Sequence, residues 1–488
     1  MSDVVRIHPE NGKIFEYKTK PRVLLCATEH YGAVINRPFR FERYLEDARD
    51  RGQTLTRLFT LFRELQSPLN PYSTCKPESP DFVTPFRRVG PEQAQDGQPK
   101  FDLEQWNSEF FDRLHSFLKI SEQYEIIVEV VLFSNTYNDV VWSLNPLNPG
   151  NNVTMDPELV IPWRDYMTTR WDELWKWQQV HARRIVEETN QYGNVIYEVC
   201  NEPCHFPDGE GLPQADEVDD WQTQLIQLIR KTEQDLPTKH LIAGQQAMTI
   251  RPFDQPSDLS FDGMDFDVVN IHPLPNTTCG GKSYELGEFM SKQLKLEAVR
   301  DFALEAYKKG KPLNNDEDNA ATQYKDEEGW TVHRKRAWTS LMCGAHYDMI
   351  DFSIMPYLET GTPSSQKGIR LWFEHLSAFI HSVDLKTARP MPDWVKQCPD
   401  QVVASVFGVV GEDYCIYLAD AREVGDSGCG VSIEGEFSFD LPDGSYGVSC
   451  YSPVGGIYSP VTELEGGQNC SVNLPAFNHD VVVRIRRN

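Results

Sequence analysis

The chain has 488 residues, 40% of them hydrophobic and 25% charged, a composition that fills packed interiors and argues against disorder. Its 47 basic and 73 acidic residues leave a net charge of −26. Such a field repels phosphate backbones, and with no basic stripe to offset it the sequence argues against nucleic acid and anionic membranes as partners. No run approaches 18 apolar residues, so no segment is expected to span a bilayer. Eleven cysteines at scattered spacings argue against a complete disulfide framework. The start, Met1 to Pro9, lacks the apolar core of a signal peptide. Three Asn-x-Ser/Thr sequons (Asn152, Asn276 and Asn469) point weakly the other way, and a cytoplasmic location is expected.

A short β segment over residues 1–20 opens the chain. From about residue 20 to 385, β-branched runs alternate with amphipathic stretches. The strands are read at Val23–Ala27, Thr54–Phe59, Ile126–Leu132, Val195–Cys200, Leu241–Ala243, Asp267–Ile271, Lys311–Asn315 and Met349–Ser353. Helices are read at Phe41–Arg51, 104–122, Trp171–Asn190, 214–235, 284–309, 330–346 and 369–382, with long loops over 66–100 and 133–170. Strands alternating with helices imply parallel pairing through right-handed crossovers, and eight such units predict a closed (β/α)₈ barrel. An open doubly wound sheet is the rival, but no Gly-rich phosphate turn follows the first strand. Beyond Pro390 short strands separated by Gly, Asp and Pro predict a small all-β sandwich. The domains are accordingly a barrel over 1–388 and a β-sandwich over 389–488.

Barrel active sites lie at the carboxyl ends of the strands. The fourth strand ends Tyr197-Glu198-Val199-Cys200-Asn201-Glu202-Pro203, and Pro203 stops the ladder, leaving Asn201 and Glu202 at its mouth. The seventh ends in Asp316-Glu317-Asp318. Two carboxylates facing each other across one rim are what cleavage of a glycosidic bond needs, one to protonate the leaving oxygen and one on the other side of the anomeric carbon.

The run Val195–Pro203 resembles the Asn-Glu-Pro signature on the fourth strand of the clan-A glycoside hydrolases, and Lys311–Glu317 resembles their Lys-Pro…Glu seventh strand. The resemblance implies Glu202 as acid/base, Asn201 as ligand to the sugar 2-hydroxyl and Glu317 as nucleophile, with Asp316 or Asp318 as alternatives. It further implies that Arg57 and His272 lie near the nucleophile. Glu29-His30-Tyr31-Gly32-Ala33 resembles the opening of cellulase-like members with a small carboxyl-terminal β domain, and Glu29 and His30 stand at the first strand's tip, where they would line the sugar site. The eighth strand carries no Trp at its tip, and Tyr357 or Trp372 would substitute as a platform.

The expected activity is that of a retaining glycosidase acting on β-O-glycosidic bonds of oligo- or polysaccharides; a catalytically silent carbohydrate-binding barrel is the alternative. Retention requires carboxyl groups about 5–5.5 Å apart, and the short distance is expected here. Arg57 would hold Glu317 ionised, while burial and the charge of Glu317 would raise the pKa of Glu202. Trp163, on a loop opened by Pro162, is the candidate for stacking on a sugar, whereas Trp171 and Trp175 share a helical face that packs. Glu198, within a strand, reads as a structural partner. Cys200, Cys204 and His205 match no closed zinc spacing, so no metal and no cofactor are expected. A carbohydrate is the expected partner; oligomeric state is not legible.

Overall fold

The computed structural model describes residues 4–488 except 30–31, 62–80, 208, 250–254, 257, 289–290 and 319–325. Eight parallel strands form the central sheet: β1 (Leu25–Thr28), β2 (Leu55–Phe59), β3 (Ile127–Ser134), β4 (Val195–Asn201), β5 (Leu241–Gly244), β6 (Val268–Ile271), β7 (Leu313–Asn315) and β8 (His346–Ile350). From β2 to β8 each strand pairs with the next, β8 returns to β1, and β1 and β2 are the two ends of the path. The seam between β1 and β2 closes through Thr54. Its N–H donates to the Leu25 carbonyl at 3.1 Å, and its hydroxyl accepts from the Leu25 N–H at 2.9 Å and donates to the Val23 carbonyl at 2.6 Å. Every residue of β3 and β4 is buried, as strands covered on both faces must be.

Helices α1 (Phe41–Asp50), α2 (Ser108–Gln123), α3 (Asp172–Thr189), α4 (Ala215–Gln234), α5 (Leu296–Tyr307), α6 (Glu327–Met342) and α7 (Ile369–Ile380) surround the sheet. In α3 the buried Leu174, Trp177, His181, Ile185 and Val186 recur at helical spacing and form one inward stripe. An antiparallel sheet of Arg6–His8, Asn11–Tyr17 and Lys20–Arg22 lies at the other end of the barrel. Its Phe15 and Tyr17 pack with Leu24, Leu55, Ile127, Ile196 and Val268 at the strands' amino-terminal ends, plugging that mouth. The carboxyl end is left as the open one.

Some expected boundaries move. The eighth strand lies three residues earlier than Met349–Ser353. The helix expected over 284–309 starts only at Leu296, behind an antiparallel hairpin of Thr277–Cys279 and Lys282–Tyr284. The described part of the loop expected over 66–100 holds strand Phe86–Gln93, paired with Pro99–Trp106, which also displaces the start of the following helix. Asn152, one of the sequons, is 1% exposed and donates its amide to two backbone carbonyls. No disulfide joins cysteines among the described residues.

The carboxyl-terminal region is all β, with strands β9 (Val402–Val409), β10 (Asp413–Asp420), β11 (Ile433–Tyr451), β12 (Thr462–Phe477) and β13 (Asp480–Arg487). The order β9–β10–β13–β11 is antiparallel, and β12 pairs with β11. Strand β12 pairs with β11 on both sides of register shifts between Phe439 and Ser445, β13 pairs with β11 beyond them from Tyr446 to Tyr451, and Ile416, Phe437, Phe439, Tyr446 and Ile485 pack into one core. Helix α6 is buried on almost every side from Gly329 to Met342, because the barrel covers one face and this region the other. Trp338 stacks on Tyr417 of β10 with ring centroids 5.4 Å apart, within a cluster that also contains Tyr347 of β8 and Val482 of β13. Three adjacent cations of α6 are buried with partners: Arg334 donates to Asp480, Lys335 to the Asp420 carbonyl, and Arg336 to Asp318.

Candidate active site

Arg57, on β2, is the hub at the open end. It is 3% exposed and touches acids from two other strand ends. Its Nη1 donates to Glu317 Oε2 at 2.7 Å. Nη2 donates to Glu198 Oε2 at 2.6 Å and to Asn201 Oδ1 at 3.0 Å, and lies 3.2 Å from Asp316 Oδ2. Asn201 passes the network on, donating to Ser134 Oγ at 3.2 Å and to the Tyr137 hydroxyl at 3.0 Å.

Glu202 and Glu317 both occupy the left-handed region, at φ 50° and 47°. That conformation is uncommon for a residue with a β-carbon, and its appearance at both strand ends marks a local constraint. One carboxylate oxygen of each and a ring nitrogen of His272 lie within 4.8 Å of one another. Tyr137 donates to Glu202 Oε2 at 2.6 Å, and His272 Nδ1 is 3.1 Å from Oε1. His272 Nε2 is 3.4 Å from Asp316 Oδ2. His272 lies near Glu317, as the resemblance implies, while its hydrogen bond goes to Glu202 and its other nitrogen faces Asp316.

The electrostatics differ from the sequence reading at Glu202. Burial does push its carboxyl upward, but the hydrogen bond and charge of His272, the Tyr137 hydroxyl and the charge of Arg57 outweigh that and hold it below the ordinary range. Burial disfavours charge on His272 too, yet its contacts with Asp316 and Glu202 raise it well above an ordinary histidine. Glu198 is pushed up to about 7, first by burial, against the charge of Arg57. Glu129 on β3 and Asp348 on β8 are raised well above the carboxylate range, by burial and then by the charge of Asp316. Of the groups clustered around His272, Glu198, Asp316 and Glu317 already pair with a cation, the Arg57 guanidinium.

The other sequence candidates are placed as follows. Of the three consecutive acids, Asp316 faces Arg57 and His272, and Asp318 is taken by Arg336 and the Tyr347 hydroxyl, while Glu317 approaches Glu202. Glu29 is 2% exposed, and its two oxygens accept from the Gly32 and Ala33 N–H groups at 2.7 and 2.9 Å, so it ties down its own loop. His30 lies outside the described residues. Trp163 is 7% exposed, edge-on to Phe206 and covered by the Arg164 guanidinium at 4.4 Å. Trp372 is buried beneath Arg334. Tyr357, on the loop after β8, is 78% exposed. Cys200 and Cys204 are buried and their thiols pushed well up by burial, Cys204 bonding Asn135 and the Glu202 carbonyl. Tyr137 was not anticipated; it stands in a polar turn just past the end of β3, where strand-end reasoning reaches it.

No family model and no curated protein matches the chain. Solved structures do. A glycoside hydrolase, 13% identical, superposes with a TM-score of 0.61 over 100% of this chain and 97% of its own. A glycoside hydrolase family 5 protein from Bacteroides vulgatus, 12% identical, gives a TM-score of 0.62 over 99% and 93% of the two chains. The chain therefore shares, along its whole length, the fold of these glycoside hydrolases, barrel and β region together.

Proposed function

We propose that this protein is a retaining glycoside hydrolase acting on β-O-glycosidic bonds of oligo- or polysaccharides. The observation that carries the reading is the approach of Glu202 and Glu317 to within 4.8 Å at the open end of the barrel. Carboxyl groups about 5–5.5 Å apart suit double displacement, whereas inversion needs roughly 6.5–9.5 Å to seat a water. Glu317 attacks the anomeric carbon as the bond to the leaving oxygen breaks, and the proton delivered through Glu202 goes to that oxygen. Water then attacks the glycosyl-enzyme carbon, its proton returning to Glu202, and Glu317 is released. Arg57 holds the attacking carboxylate in place. The shared fold with solved glycoside hydrolases supports the same reading.

The test is a panel of 4-nitrophenyl β-glycosides followed by Glu202→Gln and Glu317→Gln on any that is turned over. The first variant is expected to lose about 10²–10⁴-fold on poor leaving groups. The second is expected to fall to background, and a Glu317→Ala variant in azide to release a glycosyl azide of inverted configuration. Sugar binding without turnover of any panel member would instead identify a silent carbohydrate-binding barrel.

A further inference from the structure

Asp316 and His272 form a buried extension of the acid/base that the two-glutamate reaction does not itself require. His272 is 1% exposed and lies between two carboxylates, Nδ1 on Glu202 at 3.1 Å and Nε2 facing Asp316 at 3.4 Å. Nδ1 is hydrogen-bonded to Glu202, whereas Nε2 and Asp316 Oδ2 have no hydrogen-bond partner and face one another at ion-pair distance, and a ring held between two carboxylates in this way is favoured as the imidazolium. The alternative, a protonated carboxyl at either end, is opposed by the surroundings. Asp316 is 0% exposed with Arg57 Nη2 at 3.2 Å from the same oxygen that faces His272, and Glu202 already accepts the Tyr137 hydroxyl. Around the ring stand Arg57 from β2, Glu198 and Glu202 from β4, and Asp316 and Glu317 from β7. Glu129 from β3 and Asp348 from β8 stand behind them.

We propose that Asp316 is a positioning residue that keeps His272 as an imidazolium against Glu202, so that the acid/base proton rests on a shared Glu202–His272 pair. The assignment rests on Glu202 being the acid/base. The raised proton affinity of His272 and the lowered ones of Glu202 and Asp316 agree with it. In the first half-reaction the Nδ1 proton passes to Glu202 and from it to the leaving oxygen, so that Glu202 ends ionised and the ring neutral with its Nε2–H toward Asp316. In the second half the proton from the attacking water returns through Glu202 to Nδ1. Water is divided across the glycosidic bond, and His272 and Asp316 end unchanged.

The experiment follows ¹⁵N-histidine resonances of the full chain against pH, with His272 assigned by the signals lost in His272→Gln. Both His272 nitrogens are expected to stay protonated well above the range of an ordinary histidine in the wild type, and Asp316→Asn to lower that titration by about one pH unit or more. A neutral His272 at pH 7, or a titration that Asp316→Asn leaves in place, overturns the proposal. Should Asp316→Asn not fold, Asp316→Glu, which keeps the charge and alters the contact distance, is read in the same way. On a 4-nitrophenyl glycoside that is turned over, the basic limb of kcat/KM is expected to fall by the same interval in Asp316→Asn. The corresponding 2,4-dinitrophenyl glycoside, whose leaving group needs little protonation, is expected to react within about 3-fold of wild type. The histidine titration does not depend on turnover, so an inactive chain with a normal His272 response would sink the glycosidase reading and leave the ion chain standing.

Discussion

The Tyr137 hydroxyl donates to Glu202 Oε2 at 2.6 Å while accepting from Asn201 Nδ2 at 3.0 Å, so one phenol aligns the carboxylate with its preceding asparagine. A hydrogen bond to a charged group is worth about 1.5–3 kcal/mol. Tyr137→Phe withdraws a donor that favours the ionised carboxylate, so proton affinity rises. The basic limb of the kcat/KM profile is expected to move upward, with a loss of roughly 10-fold in rate on unactivated glycosides. An unchanged limb would show that the phenol serves packing alone.

Arg57 balances Glu198, Asp316 and Glu317 in a buried shell. Taking away one side of such a network leaves uncompensated charge, a loss of about 3–5 kcal/mol. Arg57→Met is therefore expected to lower the urea midpoint by that equivalent as well as abolish turnover. Arg57→Lys keeps the charge without the planar fork, so it should recover much of the stability and little of the rate. Equal stability of the methionine variant and the wild type would contradict this account.

Stability is expected to depend on pH in two opposing ways. Burial raises the Glu29 carboxyl to about 7, against the pull of the Gly32 and Ala33 N–H groups. From its ordinary value of 4.5 up to about 7 the folded chain keeps a proton that the unfolded chain releases. This contribution is complete below pH 4.5 and fades as pH rises to 7. Glu198 acts in the same sense. His181, His333 and His346, held neutral by burial with values lowered to about 4, 4 and 3, act oppositely: their contribution is complete above pH 6.5 and fades on acidification. The stability of Glu29→Gln relative to wild type is expected to improve by roughly 3 kcal/mol between pH 4.5 and 7. A difference flat with pH would contradict the burial of Glu29 as an acid.

Trp338 joins barrel and β region in one apolar cluster, stacked on Tyr417 and flanked by Phe379 and Tyr451. The two regions are expected to melt in a single calorimetric transition. Trp338→Ala should lower stability by about 3–5 kcal/mol and leave that transition single or split it at the seam. Two separate transitions in the wild type would show that the shared cluster does not couple them.

Parallel strands covered on both faces read as continuous β-branched runs, which is why Ile126–Leu132 and Val195–Cys200 are plain in the sequence. The eighth strand is displaced because His346 and Asp348 interrupt its apolar run, although both are buried, with His346 Nδ1 accepting the Leu24 N–H. Strand β12 escapes notice because its side chains are largely exposed and polar. At the site, strand-end logic finds Asn201, Glu202 and Glu317, and the family resemblance adds Arg57 and His272. It does not reveal which partner each meets. The contact of His272 with Glu202 and Asp316, and the reach of Tyr137, depend on how loops cross the rim, and no spacing in the chain encodes that.

Left-handed backbone at Glu202 and Glu317 carries a penalty of about 1 kcal/mol or more at each position, imposed to aim a side chain inward. A lineage selected for heat tolerance alone would find relief there by adopting glycine or asparagine, at the expense of its chemistry. Survival of glutamate at both sites under such a screen would therefore be a sign of purifying pressure on the reaction, and melting temperatures of Glu202→Gly and Glu317→Gly would measure how far robustness and turnover are set against each other.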